Sequence, residues 1–472
     1  MLHSRNHDEL NDLLSDIVLL SLDMVRRHKG IILALVLSFV LRLVTVFVAV
    51  QFREHPDVLR WKDWGRIAFL YGFADTYTLV HLTFGTYPNN MPPGTLYIVS
   101  SMYWIWIQMG KLFALFKIAP GSNPWINVVL LQIILRIPSL VADVGIGIII
   151  YAYVYQLRKN KKAGVIATLL YLCNPVVLYN SAFWGQMDAI NNFFGILSIW
   201  LLSRQRYVLS VASFVVSLGV KLSLVFMAPV FLLWLMLAKQ KYLVQTIIRS
   251  IGVMFFVLII GILPISLYPF SWMWQYVTRH ATGEMTNITA FAFNGWWVVF
   301  KPAVQFGSSY DITKVVDVWL LNSPLTQTMY GPMSLWSISI VVSMCIYTTI
   351  YRWMVHTVRL QKTIRPRVLI SILAILSLAS YIVLPQMHER YMFPFTAPAA
   401  ILIGLGMPIL WEFVLLSTLN FINLVVVWHP MPLPIWMFEF MRNVSFQWWT
   451  AAITTCLGGW TVWKIMKAEK TV

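Results

Sequence analysis

Residues 127–206 read NVVLLQIILRIPSLVADVGIGIIIYAYVYQLRKNKKAGVIATLLYLCNPVVLYNSAFWGQMDAINNFFGILSIWLLSRQR. Three apolar runs lie here, near 127–157, 163–179 and 190–203. Arg158, Lys159, Lys161 and Lys162 separate the first two, a polar stretch at 174–192 the next two, and Arg204 and Arg206 close the segment. Nothing alternates with a period of two, so these are not barrel strands. Apolar runs of this length, polar only at their ends, read as helices whose backbone groups are satisfied internally within a bilayer.

Working outward, further apolar spans fall near 30–51, 207–220, 222–238, 243–267, 330–351, 367–384, 393–411, 413–428 and 445–463. Between them lie more basic clusters: Arg26, Arg27 and Lys29; Lys239, Lys241 and Arg249; Arg352, Arg359, Lys362, Arg365 and Arg367; Lys464, Lys467 and Lys470. Lys and Arg concentrate in cytoplasmic loops, which requires an even number of crossings between consecutive clusters. The run from Tyr207 to Ala238 is then a hairpin turning near Gly219 to Lys221, and that from Tyr391 to Trp428 another turning near Glu412. The expectation is an all-α polytopic membrane protein of about twelve transmembrane helices with two long extracytoplasmic loops and both termini cytoplasmic. Residues 1–29 form a cytoplasmic tail, 30–463 the transmembrane domain, and 464–472 a second tail. The external loops are 52–126 and 268–327, and residues 92–117 lie along the outer interface, anchored by Tyr103, Trp104 and Trp106.

Composition agrees. Of 472 residues 59% are hydrophobic and 11% charged, with a mean hydropathy of +0.72, against roughly 25% charged in soluble domains. This excludes a disordered chain, a disulfide scaffold, a coiled coil and a soluble two-domain enzyme. The net charge of +17 follows from the cytoplasmic loops and does not indicate nucleic acid. Cys173, Cys345 and Cys456 sit in apolar runs without metal-binding spacing. No cleavable signal peptide is legible, and the first span is expected to act as a signal anchor.

The candidate chemistry gathers on the expected outer face. HPDVLRWKDWGR, residues 55–66, sets Asp57 just beyond the first span, with Asp63 six residues on and Arg60, Lys62 and Arg66 interleaved. A carboxylate held there suits proton abstraction from a hydroxyl, though a solvated loop acid is the plainer reading. YPNNMPPG, residues 87–94, reads as a turn. Arg42, Arg136 and Asp143 are charges inside spans, either functional or paired structurally, for instance Arg42 with Asp143.

Residues 174–192 concentrate amides and Asp188 around Trp184, a pattern suited to sugars, or simply a polar loop with an aromatic anchor. Lys221, at the hairpin turn, meets a lipid phosphate or snorkels. In PQMHERYMFP, residues 385–394, His388 and Arg390 suit an anionic phosphate, or join Glu389 in a salt-bridged cluster. Arg279 and His280 could extend a phosphate site. No P-loop, GxGxxG, GxSxG, HExxH or kinase signature occurs.

Taken in order, DVLRWKDW, YP…PPG, RIPSLVAD, NPVVLYNSAFWGQMD, the outer Lys221, FAFNGWW at 291–297 and QMHERYMFP resemble the GT-C superfamily of integral-membrane glycosyltransferases. The likeness is to prokaryotic mannosyltransferase-like members and, more distantly, to glucosyltransferases that extend lipid-linked oligosaccharides. It implies transfer of a hexose, mannose or glucose, from a polyprenyl-phosphate sugar donor to a lipid-linked glycan or other extracytoplasmic acceptor, with inversion. It implies no cofactor, no metal and a plasma-membrane setting.

By this resemblance Asp57 is the general base, and His388 and Arg390, with Lys221 and Arg279, hold the donor phosphate. Trp184, Gln186 and Asp188, with Asp63, Glu389 and Tyr391, line the sugar or acceptor site. The competing expectations are a secondary transporter or flippase, and a non-catalytic subunit of a membrane assembly.

Overall fold

A computed structural model describes residues 29–470 apart from 53, 84–85, 116–123, 232–242, 283–287, 300–328, 331–332, 361–364, 430 and 432. Arg26, Arg27, Lys239, Lys241, Lys362 and most of the second long loop therefore lie outside the described residues. The chain is nearly all helical. In order, the N-terminal half has α1 (Lys29–Ala49), α2 (Pro56–Leu70), α3 (Pro93–Leu115), α4 (Pro124–Arg158), α5 (Lys161–Leu172), the single turn α6 (Pro175–Leu178), α7 (Asp188–Ser203) and α8 (Tyr207–Val220). It continues with α9 (Leu243–Ile262), α10 (Pro269–Thr282), α11 (Leu335–Leu360), α12 (Pro366–Val383), α13 (Phe393–Gly404), α14 (Leu410–Val427), α15 (Ile435–Arg442) and α16 (Val444–Ala468). Strands are two residues long: β1 (Thr289–Ala290) pairs in parallel with β4 (Met387–His388), and β2 (Met329–Tyr330) antiparallel with β3 (Met333–Ser334).

Six described helices are long and apolar enough to cross a membrane, and a seventh span results if α5 and the bent segment Pro175–Trp184 are counted together. Leu33, Leu37, Val40, Val44 and Phe47 on α1, and Val244, Ile248, Ile251, Phe255 and Ile260 on α9, are exposed. Recurring at helical spacing, they form apolar stripes that water would not tolerate and hydrocarbon would. By contrast α12 is buried almost throughout and forms the centre of the bundle with α13, which is equally buried. The chain is a multi-pass helical membrane protein.

Hydrogen bonds sort the helix ends into two groups. At one end Arg158 donates to the Gly404 carbonyl at 3.0 Å and Tyr153 to that of Pro366 at 2.7 Å. There also Arg204 meets Gln156 at 3.1 Å, Lys464 meets Glu412 at 2.7 Å and Arg367 meets Glu469 at 2.9 Å. These are the ends that carry the basic clusters. At the opposite end Thr95 donates to Val220 at 2.6 Å, Tyr97 to Gly261 at 2.6 Å and Trp296 to Val383 at 2.7 Å. Tyr179 donates to Trp428 there as well.

At the expected turn α8 stops at Val220, Lys221 is extended, and a 3-10 turn follows over Leu222–Met227. Residues 93–115 form one helix that is not among the candidate spans. Its Gly94 crosses the end of α8 so closely that a Cβ would stand 2.6 Å from the Gly219 carbonyl oxygen. Inside the bundle, Arg42 donates to Asp143 at 3.1 Å, Tyr171 donates to the other carboxylate oxygen at 2.9 Å, and Arg42 also reaches Ser38 at 2.7 Å. All are fully buried, so these charges act as a structural brace between α1, α4 and α5.

Of the two readings of 174–192, the polar loop with an aromatic anchor does not hold: residues 179–192 are buried. Asn174 caps Val176 with its side chain, and Pro175 occupies the first helical position, so the helix stops and restarts with a 49° bend. The chain then widens into a π-helical turn over Tyr179–Trp184, buried at every residue. Apolar continuity up to 179 concealed this break, because the Asn-Pro pair acts on backbone hydrogen bonds, not on hydropathy.

Candidate active site

Three segments deliver charged groups to the end of the bundle away from the basic clusters. The first is the start of α2. His55 is its N-cap, Pro56 takes the first helical position, and Asp57 sits in the first turn, where a carboxylate is favoured by the helix dipole. The second is the π-turn, closed by Gly185, after which Asp188 opens α7. The third is β4 and the residues after it, His388, Glu389 and Arg390. FAFNGWW supports this third segment from behind. Asn423 donates to the Phe291 carbonyl at 2.9 Å, and Asn294 donates to that of Tyr381 at 3.1 Å while capping Trp296 and Trp297.

These segments meet. Asp57 Oδ1 accepts from Arg60 at 2.8 Å, and Oδ2 accepts from the Gln186 amide at 2.6 Å. Arg390 Nη2 lies 4.0 Å from Asp57, Nη1 donates to Glu389 at 2.7 Å, and Nε is 3.7 Å from Asp188. The other Asp188 oxygen accepts from Lys221 at 2.6 Å. Lys221 stands 5.2 Å above the Tyr391 ring, and Arg390 5.7 Å from the Trp184 ring. Asp57, Asp188 and Glu389 thus balance Arg60, Lys221 and Arg390. Arg390 is only 8% exposed, yet its Nε has no hydrogen-bond partner. Buried ionic groups of this kind are costly and mark functional sites.

The two histidines are not charged members. His55 Nδ1 accepts the Asp57 backbone N–H at 3.0 Å, and the ring lies 4.6 Å from both Trp184 and Trp428. Burial pushes its pKa down to about 4, against the pull of Asp57. Burial, aided by Arg390, likewise lowers His388. For Asp57 burial raises the pKa, but Arg390, His55, the Gln186 amide and Arg60 outweigh it and hold it at about 2. Glu389 is also held at about 2: burial opposes ionisation, and Arg390 and His388 overcome it. Burial works against the Arg390 charge, yet Glu389, Asp57 and Asp188 raise its pKa.

A pH dependence follows. Both carboxyls have depressed values in the folded state, so their contributions are complete above the ordinary carboxyl range and vanish as pH falls towards about 2. If Asp57 acts as a base, kcat/KM should show no acid limb between about pH 8 and about pH 4.5. A limb centred near pH 6 in that profile would assign the base to another group.

Two cavities flank the cluster. One, of about 290 Å³, is mainly apolar and carries Lys221 and Tyr391 in its wall beside Leu222, Phe226, Leu384 and Met387. The other, of about 610 Å³, is lined by aromatic and amide side chains and by Arg279. They share Asn90 and Tyr276.

Of the residues singled out by sequence, Asp57, Lys221, Trp184, Gln186, Asp188, His388, Glu389, Arg390 and Tyr391 come together. Asp63 does not: it accepts from Thr83 N at 3.0 Å, Thr86 Oγ1 at 2.7 Å and Arg66 at 2.7 Å, which ties down its own loop. Arg279 stands in the larger cavity, not in the ion cluster, and the side chain of His280 lies outside the described residues. Sequence reading missed His55 and Tyr87. His-Pro before Asp57 was a legible capping signal for the first, whereas Tyr87 owes its place to Arg60, whose guanidinium sits 3.8 Å from its ring. Among the described residues no group of three His, Cys, Asp or Glu side chains could hold a metal ion.

Gly185 makes the placement of Gln186 possible. Its φ is +87°, and a Cβ would fall 2.9 Å from Arg136 Nε. Gly185→Ala should destabilise the protein by about 1–3 kcal/mol through left-handed strain, with the clash added. Thermal unfolding in detergent reads this as a lower midpoint. An unchanged midpoint would mean that the π-turn relaxes freely.

Compared with known protein families and with curated proteins, the sequence matches none.

Proposed function

We propose that this chain is an inverting glycosyltransferase. It moves a hexose, mannose or glucose, from a polyprenyl-phosphate sugar to a lipid-linked glycan or other extracytoplasmic acceptor. The observation that carries the reading is a carboxylate and a guanidinium held in one charge-balanced cluster: Asp57, and Arg390, whose Nε makes no hydrogen bond and lies 3.7 Å from Asp188. The mainly apolar cavity with Lys221 in its wall supports a polyprenyl chain lying with its phosphate at the cluster.

In this mechanism the acceptor oxygen attacks the anomeric carbon as the bond from that carbon to the phosphate oxygen breaks. The hydroxyl proton passes to Asp57. The donor carries one negative charge on its phosphodiester, and the departing polyprenyl phosphate carries two. Arg390 and Lys221 stabilise the extra charge, so no general acid is needed. Because Asp57 is held at about 2 and a phosphate monoester protonates near pH 6, the proton then moves downhill to the leaving phosphate or to water. That transfer resets the base.

The membrane arrangement belongs to the same proposal. About twelve crossings put both termini in the cytoplasm and the cluster on the outer face of a plasma membrane. The alternation of helix ends between the basic group and the opposite group supports it.

A secondary transporter or flippase is the second reading, favoured by the broken helix of α5 and α6, since discontinuous helices build transporter sites. Proteoliposomes holding a polyprenyl-phosphate hexose labelled in the sugar separate the two. Release of polyprenyl phosphate that requires an acceptor supports transfer. Translocation of intact donor without release supports the flippase.

A further inference from the structure

The larger cavity is unused by the donor chemistry above. Trp272 and Tyr276 stack with centroids 5.1 Å apart, and Tyr77 meets Trp272 edge-on at 5.2 Å. The turn at 87–92 fixes these rings: Tyr276 donates to the Asn90 carbonyl at 2.9 Å and Tyr77 to that of Met91 at 3.1 Å. The wall also carries the amides of Asn89, Asn90 and Gln275. An amide offers both donors and an acceptor, so a phosphate, which only accepts, matches half of it, and an acyl chain matches none. A sugar hydroxyl donates and accepts, and sugar C–H faces pack on aromatic rings. The volume of about 610 Å³ suits a small saccharide, since ligand pockets span roughly 300–1,000 Å³.

We infer that this cavity is the acceptor subsite and that it binds a saccharide through Asn89, Asn90, Trp272 and Gln275, with Arg279 at its rim. The inference rests on the glycosyltransferase reading for the word acceptor, but not for the binding itself. The wall nearest the cluster is Tyr87. The Arg60 guanidinium lies 3.8 Å from its ring and donates to Asp57 at 2.8 Å. Tyr87 and Arg60 separate this cavity from Asp57, so the reacting hydroxyl belongs to a sugar unit that extends past them to the base. This places the acceptor outside the Trp184 and Asp188 segment and gives Arg279 a saccharide partner in place of the donor phosphate.

The test uses full-length protein in nanodiscs with maltotriose, mannotriose, chitotriose and cellotriose as probes. Saturation-transfer NMR reads binding, and the transfer assay reads the acceptor KM. At least one trisaccharide should bind, and Trp272→Ala and Asn89→Leu should each weaken it about tenfold, with Trp272→Phe recovering most of the loss. The exposed Gln275→Ala provides a milder variant where Asn89→Leu fails to fold. Failure of all four probes to bind, or equal binding by native protein and every variant, overturns the subsite. If transfer occurs while the variants leave the acceptor KM unchanged, the subsite falls and the enzyme reading stands. If trisaccharide binding is lost in the variants but no donor is ever consumed, the subsite stands and the enzyme reading falls.

Discussion

Asp57→Asn should lower kcat for sugar transfer by about 10²–10⁴-fold, the range that a positioned general base contributes, and leave donor affinity intact or improved. Asparagine keeps the shape of the side chain: its single carbonyl oxygen can still accept from Arg60, and its NH2 can donate to a flipped Gln186 amide, in place of the 2.8 and 2.6 Å contacts of Asp57. What disappears is the proton acceptor and one negative charge. The cluster then has a surplus cation, which favours an anionic donor. The informative measurement is therefore kcat against donor KM in the same preparation, with the unfolding midpoint as control. A loss confined to KM would remove Asp57 from the chemistry and make it a binding group.

Arg390→Met should be more damaging still. It leaves Asp57, Asp188 and Glu389 facing two cations, and breaking a buried ion pair from one side costs about 3–5 kcal/mol. Much of the protein should fail to fold, so the single variant alone is ambiguous. Arg390→Met combined with Glu389→Gln restores the charge balance and should recover much of the midpoint without recovering activity. Arg390→Lys keeps the charge but loses the fork that reaches Glu389 by Nη1 while presenting Nη2 and Nε to Asp57 and Asp188. It should fold and bind donor weakly. Full activity in Arg390→Lys would show that only a point charge matters at this position, against the proposed phosphate grip.

The membrane class was legible because it depends on composition and run length, which every residue contributes to. The Lys221 turn was legible because basic clusters bound that run on both sides. Even the Arg42–Asp143 brace was one of two readings of intramembrane charge. Lost to the sequence were contacts whose partners are far apart in the chain and whose local signal means something else. Gln186 reads as a sugar-binding amide beside Trp184, but it reaches across 129 positions to Asp57. Asp63 carries the same chemistry as Asp57, and only the fold shows that Thr83 and Thr86 occupy it. YPNN reads as a turn and is one, yet the turn also faces α10 and lines a cavity with Asn89 and Asn90. Turn residues satisfy backbone geometry first, so their side chains carry no periodic signature of a site.

The proposed reaction is a single displacement at the anomeric carbon, with Asp57 as base and no covalent intermediate. The direct measurement is the anomeric configuration of the product formed by purified protein from a polyprenyl-phosphate hexose of known configuration, read by NMR. A single product inverted relative to the donor is the predicted result. A product with retained configuration, or a donor recovered unchanged with every acceptor, would contradict it.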